Sequence, residues 1–177
     1  MAGPGASVIL REQLDSLRAE QVLEVLDHLG ARRTGTDFTI DERPFIVWFG
    51  EEYEGELRDR KEGGLSELLG WRPVDSVGFA ANCNGELDHR LLAEICVGVA
   101  ERLGGIIDFG GTIGLGPVFP KEAPHPSMKI VNPGGVSGLL YATSYEIEPG
   151  RRYGTCHYGD VTLLRSYLGL PSFRMVK

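Results

Sequence analysis

Asp88-His89-Arg90-Leu91-Leu92-Ala93-Glu94-Ile95-Cys96-Val97-Gly98-Val99-Ala100-Glu101-Arg102-Leu103 is the most regular stretch of this 177-residue chain, and Gly104-Gly105 and Ile106-Ile107-Asp108-Phe109 follow it directly. Leu91, Leu92, Ile95, Cys96, Val99 and Leu103 recur at steps of three and four residues. That spacing puts them on one side of a 3.6-residue helix and predicts a core-facing element. The glycine pair stops it, and the apolar run after the pair reads as a buried strand.

Upstream, residues 74–81 (VDSVGFAA) read as a strand and Asn82-Cys83-Asn84-Gly85 as a turn, so this region forms a β-α-β unit. The first fifty residues repeat the theme with an added hairpin. A β-rich run at 6–12 precedes a helix at 17–29, with Ser16 as its cap and Gly30 as its stop. Strand-like runs at 37–40 and 45–49 are separated by Asp41-Glu42-Arg43-Pro44, a spacing suited to an antiparallel hairpin.

The fold expected is α+β: a mixed or antiparallel sheet with two main helices packed on one face, a ferredoxin-like variant with a C-terminal extension. One domain spans 1–177, with a core at 1–109, a Gly/Pro-rich loop at 110–135 and an extension at 136–177. Within it, 65–70 reads as a short helix, 136–147 as a strand and 160–168 as a helix capped by Asp160. The tail 171–177 either adds an edge strand or docks on the core.

Composition narrows the function. A 42% hydrophobic and 24% charged chain is ordinary globular protein. Three scattered cysteines, Cys83, Cys96 and Cys156, make neither a disulfide framework nor a structural zinc site, so a reducing cytoplasm is expected. No window approaches a membrane span, and no leader pattern opens the chain.

The net charge of −7 is unevenly divided: residues 1–120 carry 11 basic and 21 acidic side chains, residues 121–177 carry 7 and 4. An acidic surface repels phosphate backbones and speeds encounter with cationic proteins, which disfavours direct nucleic-acid binding. The acidity peaks at 51–62 (EEYEGELRDRKE), with Glu51, Glu52, Glu54 and Glu56 at its start. Such a run reads first as a solvated connector and second as a docking loop for a basic protein.

Chemistry-bearing residues occur in three places. Cys83, Asp88 and His89 flank a strand-to-helix turn, where an imidazole and a helix N-terminus could activate a thiol. Asp88 as a cap and His89 as a first-turn residue is the preferred reading. Cys156-His157, with His125 elsewhere, supplies too few converging lone pairs for a metal, so no metal and no cofactor are expected. The loop Phe109-Gly110-Gly111-Thr112-Ile113-Gly114-Leu115-Gly116-Pro117 lacks the Gly-Lys-Ser/Thr ending and the helix start of a phosphate cradle. Asp108 reads as a strand-end carboxylate satisfied by main-chain amides. Trp48 reads as core and Trp71, before Arg72-Pro73, as an exposed anchor.

The run 82–94 (NCNGELDHRLLAE), its continuation through Gly104-Gly105-Ile106-Ile107-Asp108-Phe109-Gly110-Gly111, and the ending from Tyr153-Gly154-Thr155-Cys156-His157-Tyr158 to Phe173-Arg174-Met175-Val176-Lys177 resemble a family of bacterial proteins. That family is common in actinobacteria and related to the immunity proteins of polymorphic toxin systems. The resemblance covers about half the chain and supplies no catalytic residues. It implies a non-catalytic protein that binds a cognate toxin and occludes its active site. Glu51, Glu52, Glu54, Glu56 and Trp71 are then the expected partner-binding residues, and the toxin is expected to be basic. Two alternatives stand beside it: a small thiol hydrolase or transferase using Cys83, His89 and Asp88, and a small-molecule sensor whose Gly/Pro-rich segment covers a pocket.

Overall fold

The computed structural model describes residues 3–50, 64–122, 125–148, 150, 152–171 and 173–176. In chain order the elements are β1 (Gly5–Leu10), α1 (Ser16–His28), β2 (Arg32–Thr34), β3 (Asp37–Ile40), β4 (Arg43–Phe49), α2 (Leu65–Leu69), β5 (Asp75–Ala81), α3 (Glu86–Leu103), β6 (Ile106–Asp108), β7 (Met128–Val131), β8 (Leu139–Glu148), β9 (Arg152–Gly159) and α4 (Val161–Leu168). The described strands make one nine-stranded sheet in the order β2-β3-β4-β5-β1-β6-β9-β8-β7. Every neighbouring pair is antiparallel.

β1 lies inside the sheet between β5 and β6 and is covered on both faces, which is why Val8-Ile9-Leu10 is apolar without interruption. Val8 and Leu10 face a layer made of α1, α3 and α4. Ile9 faces the other way, into a smaller cluster with Leu65, Ile106, Tyr141, Cys156 and Tyr158 that α2 covers. Two helices on one face were expected. Among the described residues three pack there, because Leu163, Leu164 and Tyr167 of the short α4 join the same core, and a fourth helix lies opposite.

Local signals explain most element ends. Asp15, not Ser16, caps α1, accepting from the Arg18 amide at 2.9 Å. Asp160 caps α4 as expected, accepting from the Leu163 amide at 2.7 Å. Gly104 closes α3 in the left-handed conformation at φ 73°, which a side chain would resist. The Gly/Pro-rich span 110–135 is not all loop, since Met128–Val131 pairs with β8 between Pro126 and Pro133. Residues 136–177 supply β8, β9 and α4 to the common sheet and helix layer. The tail docks on the core, with Phe173 and Met175 buried. Among the described residues no helix is long and apolar enough to cross a membrane.

Trp48 lies on the face opposite the three helices, with its indole over Gly78, where a Cβ would overlap the ring. Gly78→Ala is therefore expected to displace the indole, cost about 1–3 kcal/mol and shift Trp48 emission to longer wavelength. Urea denaturation and fluorescence in a Trp71→Phe background would check it. An unshifted spectrum at unchanged stability would refute the packing.

Candidate functional site

Asp88 is fully buried although it carries a charge, and its geometry accounts for that. Arg43 on β4 grips it with two bonds, Nε to Oδ1 at 2.7 Å and Nη2 to Oδ2 at 2.5 Å. The Gly85 amide donates to Oδ2 at 2.5 Å, so Asp88 closes the first turn of α3 from inside the helix while Gly85 is the cap residue. The Arg43 bond holds the carboxyl below its ordinary range; burial opposes this, and the Gly85 amide assists.

His89 is also buried, and both its ring nitrogens are engaged. Nδ1 accepts from the Met175 amide at 3.0 Å, and Nε2, the protonated nitrogen, donates to Asn84 Oδ1 at 3.1 Å. The ring ties the carboxy-terminal tail to the start of α3. To act as a base on Cys83 it would have to release one of these partners. Cys83 itself is half-buried.

Cys156 and His157 are adjacent in sequence but point to opposite sides of the sheet, because strand residues alternate. The Cys156 thiol donates to Asp108 Oδ1 at 3.3 Å within the cluster under α2. Asp108 accepts also from the Gly110 amide at 2.7 Å, as a strand-end carboxylate does. His157, facing the helix side, accepts at Nδ1 from the Ile113 amide at 3.0 Å and donates from Nε2 to the Pro117 carbonyl at 2.9 Å. Burial lowers its pKa, and the bond to the Pro117 carbonyl opposes this. The glycine-rich loop is thus fastened to the sheet, with Ile113 and Phe119 buried beneath it. His125 stacks on Phe119, with ring centroids 5.1 Å apart. Among the described residues no three His, Cys, Asp or Glu side chains gather as a metal site would require.

A groove of about 350 Å³ runs between α1 and α3, lined by Glu24, Val25, His28, Glu94, Gly98 and Arg102. Gly98 opens it: a Cβ there would come within 2.7 Å of Val25 Cγ1, so the glycine permits close approach of the helices. The floor is apolar and the rim carries Glu24, Glu94, His28 and Arg102, all exposed. Glu24 is paired with Arg102 at 3.0 Å. Sequence reading passes over this site because its two walls lie some seventy residues apart. The signal that could have marked it is a glycine in mid-helix, where it costs about 1 kcal/mol and calls for a packing reason.

Of the expected partner-binding residues, Glu51, Glu52, Glu54 and Glu56 lie outside the described residues. Trp71 is half-buried against the α2 cluster, with the Arg11 guanidinium 5.5 Å from its ring.

A family of unknown function (DUF6368) matches residues 2–177, and the chain belongs to that family. No curated protein and no solved structure matches it.

Proposed function

We propose that this chain is a non-catalytic, immunity-type protein of the cytoplasm that binds a cognate basic toxin domain and occludes its active site. The observation that carries the reading is the α1–α3 groove, a preformed apolar trough whose rim carries Glu94 and the Glu24–Arg102 pair, with His28 beside them. Apolar floor supplies affinity, and peripheral charge supplies encounter rate and partner choice. The acidic balance of residues 1–120 extends that field, with Glu51, Glu52, Glu54, Glu56 and Trp71 as further contact residues. The engagement of both His89 nitrogens weighs against the thiol hydrolase or transferase alternative. We further read β4-β5-β1-β6 with α1 and α3 as a ferredoxin-like core to which β7, β8, β9 and α4 are added.

The test is whether a toxin domain is encoded beside this gene and associates with this chain. Glu24→Gln with Glu94→Gln is expected to slow association several-fold at low ionic strength and to reduce its dependence on salt. A complex whose rate ignores both substitutions would remove the groove from the interface, and absence of any complex would end the reading.

A further inference from the structure

Asn84-Gly85 is the only Asn-Gly pair in the chain, and it sits in the turn that leads from β5 into α3. An asparagine side-chain carbonyl lies within reach of the next residue's main-chain nitrogen, and attack of that nitrogen closes a five-membered imide. The attack is slow in an unfolded chain, because the nitrogen must shed a proton while the carbonyl oxygen takes up negative charge. Bulk at the second residue hinders it further, and glycine has none.

The groups around the pair answer both demands. Asp88 Oδ2 accepts from the Gly85 amide at 2.5 Å, so a base already touches the proton to be removed. Arg43 holds that carboxylate in its charged form through two bonds. His89 Nε2 donates to Asn84 Oδ1 at 3.1 Å, the atom on which charge develops. The Met175 amide, donating to Nδ1 at 3.0 Å, keeps the imidazole in the tautomer this requires. Asp88 and His89 are buried and therefore held in place, whereas Asn84 is exposed and open to water. A Cβ at Gly85 would come within 3.1 Å of Asp88 Oδ2, so a side chain there would crowd the base.

We propose that Asn84-Gly85 is a self-modification site at which the fold promotes conversion of Asn84 to aspartate and isoaspartate, with Asp88 as the base and His89 as the donor to the developing oxyanion. Gly85 N passes its proton to Asp88 Oδ2 and its electron pair to Asn84 Cγ, and the carbonyl π pair moves onto Oδ1 against His89 Nε2–H. When that pair returns, the Cγ–Nδ2 bond breaks, and the proton on Asp88 leaves with Nδ2 as ammonia. Water then opens the imide at either carbonyl, which adds one negative charge beside His89. The site does not depend on the toxin reading.

The test is to incubate the full chain in neutral reducing buffer beside the peptide 80–90 (AANCNGELDHR), which carries the same residues without the fold. Peptide mass spectrometry would quantify asparagine, imide, aspartate and isoaspartate at position 84. The folded chain is expected to convert Asn84 about tenfold faster than the peptide, part of what a positioned base supplies, with Asn82 unchanged over the same period. Asp88→Asn, its fold verified by circular dichroism, is expected to lose that advantage; should it fail to fold, the wild-type chain against the peptide decides. Conversion no faster in the folded chain than in the peptide, conversion of Asn82 at the pace of Asn84, or undiminished conversion in folded Asp88→Asn would each overturn the proposal.

Discussion

Asp88→Ala is expected to destabilise the fold by about 2–3 kcal/mol, measured by urea denaturation, because it removes the acceptor of three bonds and leaves Arg43 and the Gly85 amide without it. The loss stays below the roughly 3–5 kcal/mol of a dry ion pair because the Arg43 side chain is 33% exposed and water screens the interaction. Asp88→Asn, keeping the shape and part of the bonding, should fall between. The pH dependence follows from the lowered carboxyl pKa, for which the Arg43 bond is the main cause. Above the unfolded carboxyl value the native state holds its full advantage, and the advantage is lost as pH falls through the carboxyl range toward the depressed native value. Wild-type stability should thus drop in acid more steeply than that of Asp88→Asn. Loss of less than about 0.5 kcal/mol in Asp88→Ala would mean that the pair contributes only what a surface pair does.

His157→Phe is expected to cost about 2–3 kcal/mol while filling similar volume, since it orphans the Ile113 amide and the Pro117 carbonyl at a fully buried position. Hydrogen exchange should report it locally: the Ile113 amide loses protection before the strands on either side do. Burial lowers the pKa of this imidazole below its ordinary value of about 6.5. Its contribution is complete above that value and declines as pH falls below it toward the native pKa, because protonated Nδ1 cannot accept from Ile113. His157→Gln should retain more of the anchoring and lose that part of the pH dependence. A fully protected Ile113 amide in His157→Phe would refute the anchoring role.

The elements legible in the sequence are those whose burial is one-sided or complete. α3 could be read because its apolar residues repeat at helical steps, and β1 because a strand buried on both faces is continuously apolar. β2 (RRT) is exposed throughout and leaves no hydrophobic signature. β7 hides its four residues between prolines, and β9 mixes glycine, threonine and histidine in a pattern that only its partners explain. The site follows the same division. Asp88 at the helix start is a local feature and was readable as capping, but its partner Arg43 is 45 residues away. Cys156-His157 misleads because adjacency along a strand separates side chains instead of joining them. The groove depends on two helices meeting, which is decided by the core beneath them.

The central claim is that this protein acts by occupying a partner rather than by transforming one, and stoichiometry tests it most directly. A toxin domain found encoded beside this gene, at a concentration far above the dissociation constant, would be titrated with this chain while residual toxin activity is followed. The account predicts a straight fall that ends at one molecule per toxin, does not deepen with time, and is the same for Cys83→Ala. Progressive inactivation at a small fraction of that ratio, abolished in Cys83→Ala, would contradict it.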